Sequence, residues 1–310
     1  MALDPGPAPT ANTFELPGRF HKGNLHTHST ASDGARPAAE VCRAYREAGY
    51  DFIALTDHFL SRYGYPVTDT RAFRETGGFT TLFGAELHVP ETALGELWHI
   101  LAVGLPLDFA PPADRESAAG IARRARAAGA FVCIVHPAWY GLTAQDVESV
   151  PDAHAIEIYN HTGAVRTDRG DGSMLLDQLL AAGRRITACA TDDAHFHVDD
   201  AFGGWVMVKA PSAEPADLVA ALRAGHFYAS QGPAIHAVGL GGDTIEIECS
   251  PAAAVILLGR GSRAENVLGR ELRRASLPLA RVRQGGYGRV VVVDDAGRRA
   301  WSNPFWFDRS

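Results

Sequence analysis

Short apolar runs of strand length alternate with amphipathic stretches of helical period from about residue 20 to residue 230. That alternation restricts the chain to an α/β architecture around a largely parallel sheet. The first apolar run ends in GNLHTH (23–28), and a helix from about Pro37 to Ala48 starts with a proline suited to a first turn and stops at Gly49. Strands are expected at 51–55, 80–89, 97–104, 130–136, 155–160, 185–193 and 203–210. Helices are expected at 116–129, 172–183 and 214–225, each stopped by a glycine. About seven β/α units suggest a closed or nearly closed barrel. From Pro233 the pattern changes: TIEIECS, AAVILLG, LPLARVR and GRVVVVDD read as strands between glycine-rich turns such as GLGGDT and GRGSR, and AWSNPFWFD as a last strand interrupted at Pro304. The expected division is a loosely ordered leader (1–18), an α/β barrel (19–232) and a small all-β domain (233–310).

Composition sets outer limits. The chain has 310 residues, 46% hydrophobic and 21% charged, with a formal net charge of −7, the balance of a globular protein and a poor match to an electrostatic nucleic-acid binder. No stable nucleic-acid partner is expected. Cys42, Cys133, Cys189 and Cys249 are scattered, without a C-x-x-C pair, and are read as reduced. No basic-then-apolar leader or long apolar run is present, so a cytoplasmic protein without membrane contact is expected.

The chemistry lies in where the histidines and carboxylates fall. His26 and His28 follow the first strand, Asp57 and His58 the second, Glu86 lies in GAELH, His99 in LWHILAVG, His136 in CIVHP, and Asp193 with His195 in TDDAH. In β/α barrels, side chains at strand ends converge on one mouth, and the H-x-H and D-x-H pairs put two donors on one side of a strand. Imidazoles mixed with carboxylates and without thiolates point to Zn, Mn or Fe, and away from Ca or a cysteine-rich structural site. So many donors exceed the needs of one ion. Two or three divalent ions are expected, with Glu86 as a bridging carboxylate, and such a cluster implies hydrolysis.

Taken together, GNLHTHSTASDG, ALTDH, GAELH, IVHP and TDDAH resemble the five motifs of the polymerase and histidinol phosphatase (PHP) superfamily of metal-dependent phosphoesterases, over about residues 20–232. The resemblance implies a distorted seven-unit β/α barrel with metals at the strand mouths. It assigns His26, His28, Glu86 and Asp193 to one metal, Glu86, His99 and His136 to a second, and Asp33, His58 and His195 to a third. Glu86, Asp193 and His195 then have catalytic as well as ligand roles, and Asp57 orients rather than binds. Phe59 after His58, and only 49 residues between Glu86 and His136, depart from the nucleotide phosphatase and exonuclease branch. The compact layout is more similar to the branch containing carbaryl-type carbamate hydrolases.

The resemblance implies attack by a metal-bridging hydroxide on a small phosphomonoester or diester, with a carbamate or amide hydrolase, or a metal-binding regulatory module without turnover, as the alternatives. Arg62, Arg71 and Arg166 lie in loops suited to a phosphorylated small-molecule substrate. His88 and His197 are candidates for protonating the leaving group, and Tyr63, Tyr65, Trp98, Trp139 and Tyr140 for an apolar wall.

Overall fold

The computed structural model describes residues 12–307; residues 1–11 of the expected leader and 308–310 lie outside the described residues. The strands are β1 (Arg19–Asn24), β2 (Phe52–Leu55), β3 (His58–Phe59), β4 (Thr80–Val89), β5 (Trp98–Val103), β6 (Phe131–Ile134), β7 (Ala155–Asn160), β8 (Thr187–Thr191) and β9 (Trp205–Ala210). They continue as β10 (Phe227–Ser230), β11 (Ile235–Leu240), β12 (Thr244–Gly259), β13 (Ala264–Pro278), β14 (Tyr287–Val293), β15 (Arg299–Ser302) and β16 (Phe305–Trp306). The helices are α1 (Ala38–Glu47), α2 (Ala118–Ala127), α3 (Ala144–Glu148), α4 (His161–Thr167), α5 (Ser173–Ala181), α6 (Pro215–Arg223) and α7 (Ala280–Arg283). No described helix is long and apolar enough to cross a membrane.

The result is a mixed α/β molecule around one large sheet, ordered β11-β12-β14-β15-β10-β9-β1-β2-β4-β5-β6-β7-β8. Helix α2 shows how the sequence builds it. Ser117 caps the Gly120 N–H at 3.1 Å, and Ala118, Ile121, Ala122 and Ala125 form one buried stripe. The segment after β8, the last strand of this order, comes back beside the segment after β1. Thr27 bridges Ala194 in parallel sense, and the His28 N–H donates to the Ala194 carbonyl at 2.9 Å. The segments carrying H-x-H and D-x-H therefore lie side by side.

The expected regular β/α units are broken at β5, which runs antiparallel to both β4 and β6. Only residues 90–97 separate β4 from β5, too few for the crossover of a dozen or more residues that a parallel return requires. The N-terminal end of β5 therefore lies beside the C-terminal end of β4, and His99 sits directly across from His88.

Residues 12–18 are not a loose leader. They include a 3-10 turn at Thr13–Glu15, and Phe14 stacks on Tyr228 at 5.8 Å. In the tail, TIEIECS and AAVILLG are one strand, β12, whose pairing with β13 shifts register between Glu248 and Ala252, around Pro251, which cannot donate to the ladder. LPLARVR is not a separate strand: Leu277 and Pro278 end β13, and the short helix α7 follows. Strand β13 itself was hidden in the sequence by RELRR, whose arginines face solvent.

The tail is joined to the rest by pairing and by core. β15 pairs with β10, and β10 with β9. One buried cluster contains Ile121, Leu176 and Leu179 together with Tyr287, Val291 and Trp301. Asn303 reaches across to accept from the Ala188 N–H at 2.9 Å and to donate to the Gly225 and Phe227 carbonyls at 3.0 and 2.9 Å.

His154, between β6 and β7, accepts the Val132 N–H at Nδ1 at 3.0 Å. Burial, reinforced by Arg126 and Arg223, lowers its pKa from 6.5 to about 4. A base depressed in the folded state contributes stability that is complete above pH 6.5 and lost as pH falls towards 4. The urea-midpoint advantage of wild type over His154→Gln is expected to shrink over that window. An advantage that stays constant with pH would refute this role.

Candidate metal centre

All nine positions assigned by the motifs converge at one end of the sheet. His26 Nε2 and His28 Nε2 lie 3.2 and 3.0 Å from Asp193 Oδ1, and 3.6 and 3.8 Å from the Glu86 carboxylate. His99 Nδ1 and His136 Nε2 lie 2.7 and 3.0 Å from Glu86 Oε1. His58 Nε2 and His195 Nε2 each lie 3.4 Å from Asp33 Oδ1. Donor groups able to hold an ion are His26, His28 and Asp193; His26, Glu86 and His136; His28, Asp33, His58 and His195; and His58, Glu86, His88 and His99. His99 is thus grouped with His88 and His58, while it shares Glu86 Oε1 with His136.

Local backbone aims these donors. His136 and Asp193 take left-handed φ angles of 33° and 57°, strained positions of the kind that persist where surrounding structure imposes them. Behind the donors stands a layer of carboxylates. Glu157 accepts from His26 Nδ1 at 2.8 Å, from the His136 N–H at 2.6 Å and from Asn160 at 2.9 Å. With its Nδ1 proton committed there, His26 presents an Nε2 lone pair to the cluster. His195 is set in the same way, since its Nδ1 donates to the Asp193 carbonyl at 2.8 Å. Asp192 accepts from Tyr45 Oη at 2.6 Å and from the N–H groups of Phe202, Gly203 and Gly204, each at 2.8 Å, tying down the loop after His195. Asp57 accepts from the Ser29 N–H at 2.7 Å, Ser32 Oγ at 2.9 Å and Thr68 Oγ1 at 3.1 Å, fixing the turn that carries Asp33.

The residues fit divalent cations. A carboxylate offers about four acceptor sites, yet six imidazoles, those of His26, His28, His58, His88, His99 and His136, bring a ring nitrogen within 3.8 Å of Glu86. His26 Nε2, Asp33 Oδ1 and Glu86 Oε2 are buried and make no hydrogen bond. Cations between the donors would satisfy atoms that protons leave unpaired. Burial works to raise the Glu86 pKa, but His99, His58 and the other imidazoles hold it well below the usual carboxylate range. Burial, with His195 and His58, pushes His28 down to about 4.

The substrate candidates divide. His88 is 5% exposed and inside the cluster. Arg71 is turned onto Asp69 in a fork, with Nε at 2.9 Å from Oδ1. Arg166 is an exposed residue of α4, and Arg62 lies over the Tyr63 ring at 4.7 Å. His197 Nε2 donates to the Asp33 carbonyl at 2.8 Å. Tyr140 lies 4.6 Å from the His99 ring and 4.9 Å from that of His136, Trp139 5.9 Å from His136, and Tyr63 6.4 Å from His58. Tyr65 packs on Phe59 at 5.2 Å, while Trp98 is 3% exposed and belongs to the core rather than a wall. Glu157 and Asp192 were missed by sequence reasoning. The only signal was a carboxylate inside an otherwise apolar strand, AIEIYN, or next to a ligand, TDDAH.

No protein-family model matches the chain, and no curated protein matches it significantly. Solved structures do. A two-domain protein from Bacteroides vulgatus containing predicted PHP-like metal-dependent phosphoesterase is 20% identical, with 91% of this chain and 94% of that chain covered and a TM-score of 0.52. An amidohydrolase from Chromobacterium violaceum, with bound sulfate and no metal, is 14% identical over 57% of this chain and 89% of that chain, with a TM-score of 0.42. The first likeness spans nearly the whole of both chains and shows that the two share a fold.

Proposed function

We propose that this chain is a metal-dependent hydrolase of the PHP type, cleaving a small phosphomonoester or diester with two or three divalent ions (Zn, Mn or Fe) held by the nine residues above. The observation that carries this reading is the crowding of six imidazoles around the buried Glu86 carboxylate. In the same reading, strands β1, β2, β4, β5, β6, β7 and β8 form a distorted barrel, and residues 233–310 form an appended β-rich domain. Ions bound there supply Lewis acidity and a nucleophile generated from water at neutral pH. The chain's own work is orientation. Glu157 holds the His26 tautomer, Asp57 holds the Asp33 turn, and Asp192 holds the loop behind His195. Half-buried Tyr140, beside His99 and His136, bounds the substrate side and excludes water from it.

A second reading, hydrolysis of an aryl carbamate or amide, is favoured by the aromatic flank of Tyr63, Trp139 and Tyr140 and by the commitment of Arg71 to Asp69. One experiment separates the two: purified protein, before and after chelation and Zn or Mn add-back, assayed on matched aryl phosphates and aryl carbamates. Chelator-sensitive release from the phosphates supports a phosphoesterase. Release from the carbamates alone moves the assignment to carbon–nitrogen chemistry. Bound metal with no turnover on either panel overturns both in favour of a binding module.

A further inference from the structure

We infer that His88 is a further metal ligand, donating from the strand opposite His99 to the ion that Glu86 and His99 hold; this rests on the metal-centre reading above. No motif assignment includes it. Its place follows from the reversed strand. Because β5 runs antiparallel to β4, His88 and His99 are directly paired across the two strands, with side chains on the same face and Cβ atoms roughly 5 Å apart. Their rings are 4.2 Å apart and nearly perpendicular, at 88°. A cross-strand pair of this kind can present two imidazole nitrogens to one ion, as the H-x-H of a single strand does.

The other partners are in reach. His88 Nε2 lies 3.6 Å from Glu86 Oε2, close to the ~3.3 Å separation of two donors on a tetrahedral ion with bonds of about 2.0–2.1 Å. The donor atoms of His58, Glu86, His88 and His99 all lie within 4.8 Å of one another. His88 Nε2 also lies 2.9 Å from His58 Nδ1, which defines the competing role: a hydrogen-bond partner that only orients His58. The two roles differ in size. A residue that merely orients a ligand costs ~10–100-fold in metal affinity when removed, whereas a ligand takes its ion with it.

The test uses full-length protein stripped and reloaded with Co(II), read by metal analysis, titration and absorption spectra. His88→Ala is expected to hold one equivalent fewer than wild type, or to bind its weakest ion more than ~100-fold less tightly. His88→Cys is expected to gain a thiolate-to-cobalt charge-transfer band absent from wild type. His88→Gln, which keeps volume and a hydrogen bond but not the imidazole donor, is expected to lose the same equivalent, and it serves if the alanine variant does not fold. Unchanged stoichiometry, a loss confined to ~10–100-fold, or no band in His88→Cys overturns the assignment. Wild type that binds no cobalt instead sinks the metal-centre reading. Wild type holding two or three ions beside unaltered His88 variants sinks only this inference.

Discussion

His28→Ala and Asp193→Asn are each expected to lose at least one metal equivalent and to lower kcat/KM by ~10³-fold or more, beyond the ~10²–10³ that removal of a single transition-state donor costs. His28 is fully buried, and its Nε2 lies 3.0 Å from Asp193 Oδ1. Asparagine is the better replacement at 193. The backbone there is left-handed, at φ 57°, a conformation that asparagine tolerates and alanine adopts at a cost of ~1–2 kcal/mol. Asp193→Asn therefore removes charge without adding backbone strain. Metal analysis and hydrolysis rates on the same preparations check it. Unchanged metal content in both variants would contradict the assignment of this cluster.

The second large effect concerns stability. Arg289 on β14 is 2% exposed and pairs bidentately with Asp177 on α5, Nε to Oδ1 and Nη2 to Oδ2, both at 2.9 Å. Its Nη1 is buried without a partner. The Asp177 side chain is 42% exposed. The two ends of the pair are therefore not equivalent. Asp177→Ala strands a buried guanidinium and is expected to cost ~3–5 kcal/mol, the range for an uncompensated buried charge. Arg289→Met leaves only a half-exposed carboxylate and fills the space, so a smaller loss is expected. Denaturant midpoints of the two variants decide it, and an Arg289→Met loss as large as that of Asp177→Ala would refute the asymmetry. Either loss also reports on how tightly β14 depends on α5, because among the described residues no other ion pair joins these two elements.

Much of the candidate site was readable before any fold was known. H-x-H and D-x-H state their geometry locally, since alternate residues of an extended strand face the same way. GAELH and IVHP lie on short apolar runs whose ends could be placed to within a residue or two. Element existence was legible for the same reason: TTLFGAELHV coincides with β4 and AIEIYN with β7. Less legible were elements whose cues are not periodic. β13 carries RELRR because it is an edge strand facing water, and α7 took four residues of what read as a strand.

By itself, the sequence determined the α/β alternation, the mouth at which donors gather and the chemical type of those donors, because these depend on period and residue type over a few neighbouring positions. Only the tertiary structure decided the direction of β5, and with it the pairing of His88 with His99. It also decided which carboxylates stand among the clustered imidazoles and which stand behind them. Glu157 meets His26 from 131 residues away, and Arg289 meets Asp177 from 112. Such contacts are set by how strands order and cross, and no local periodicity encodes that.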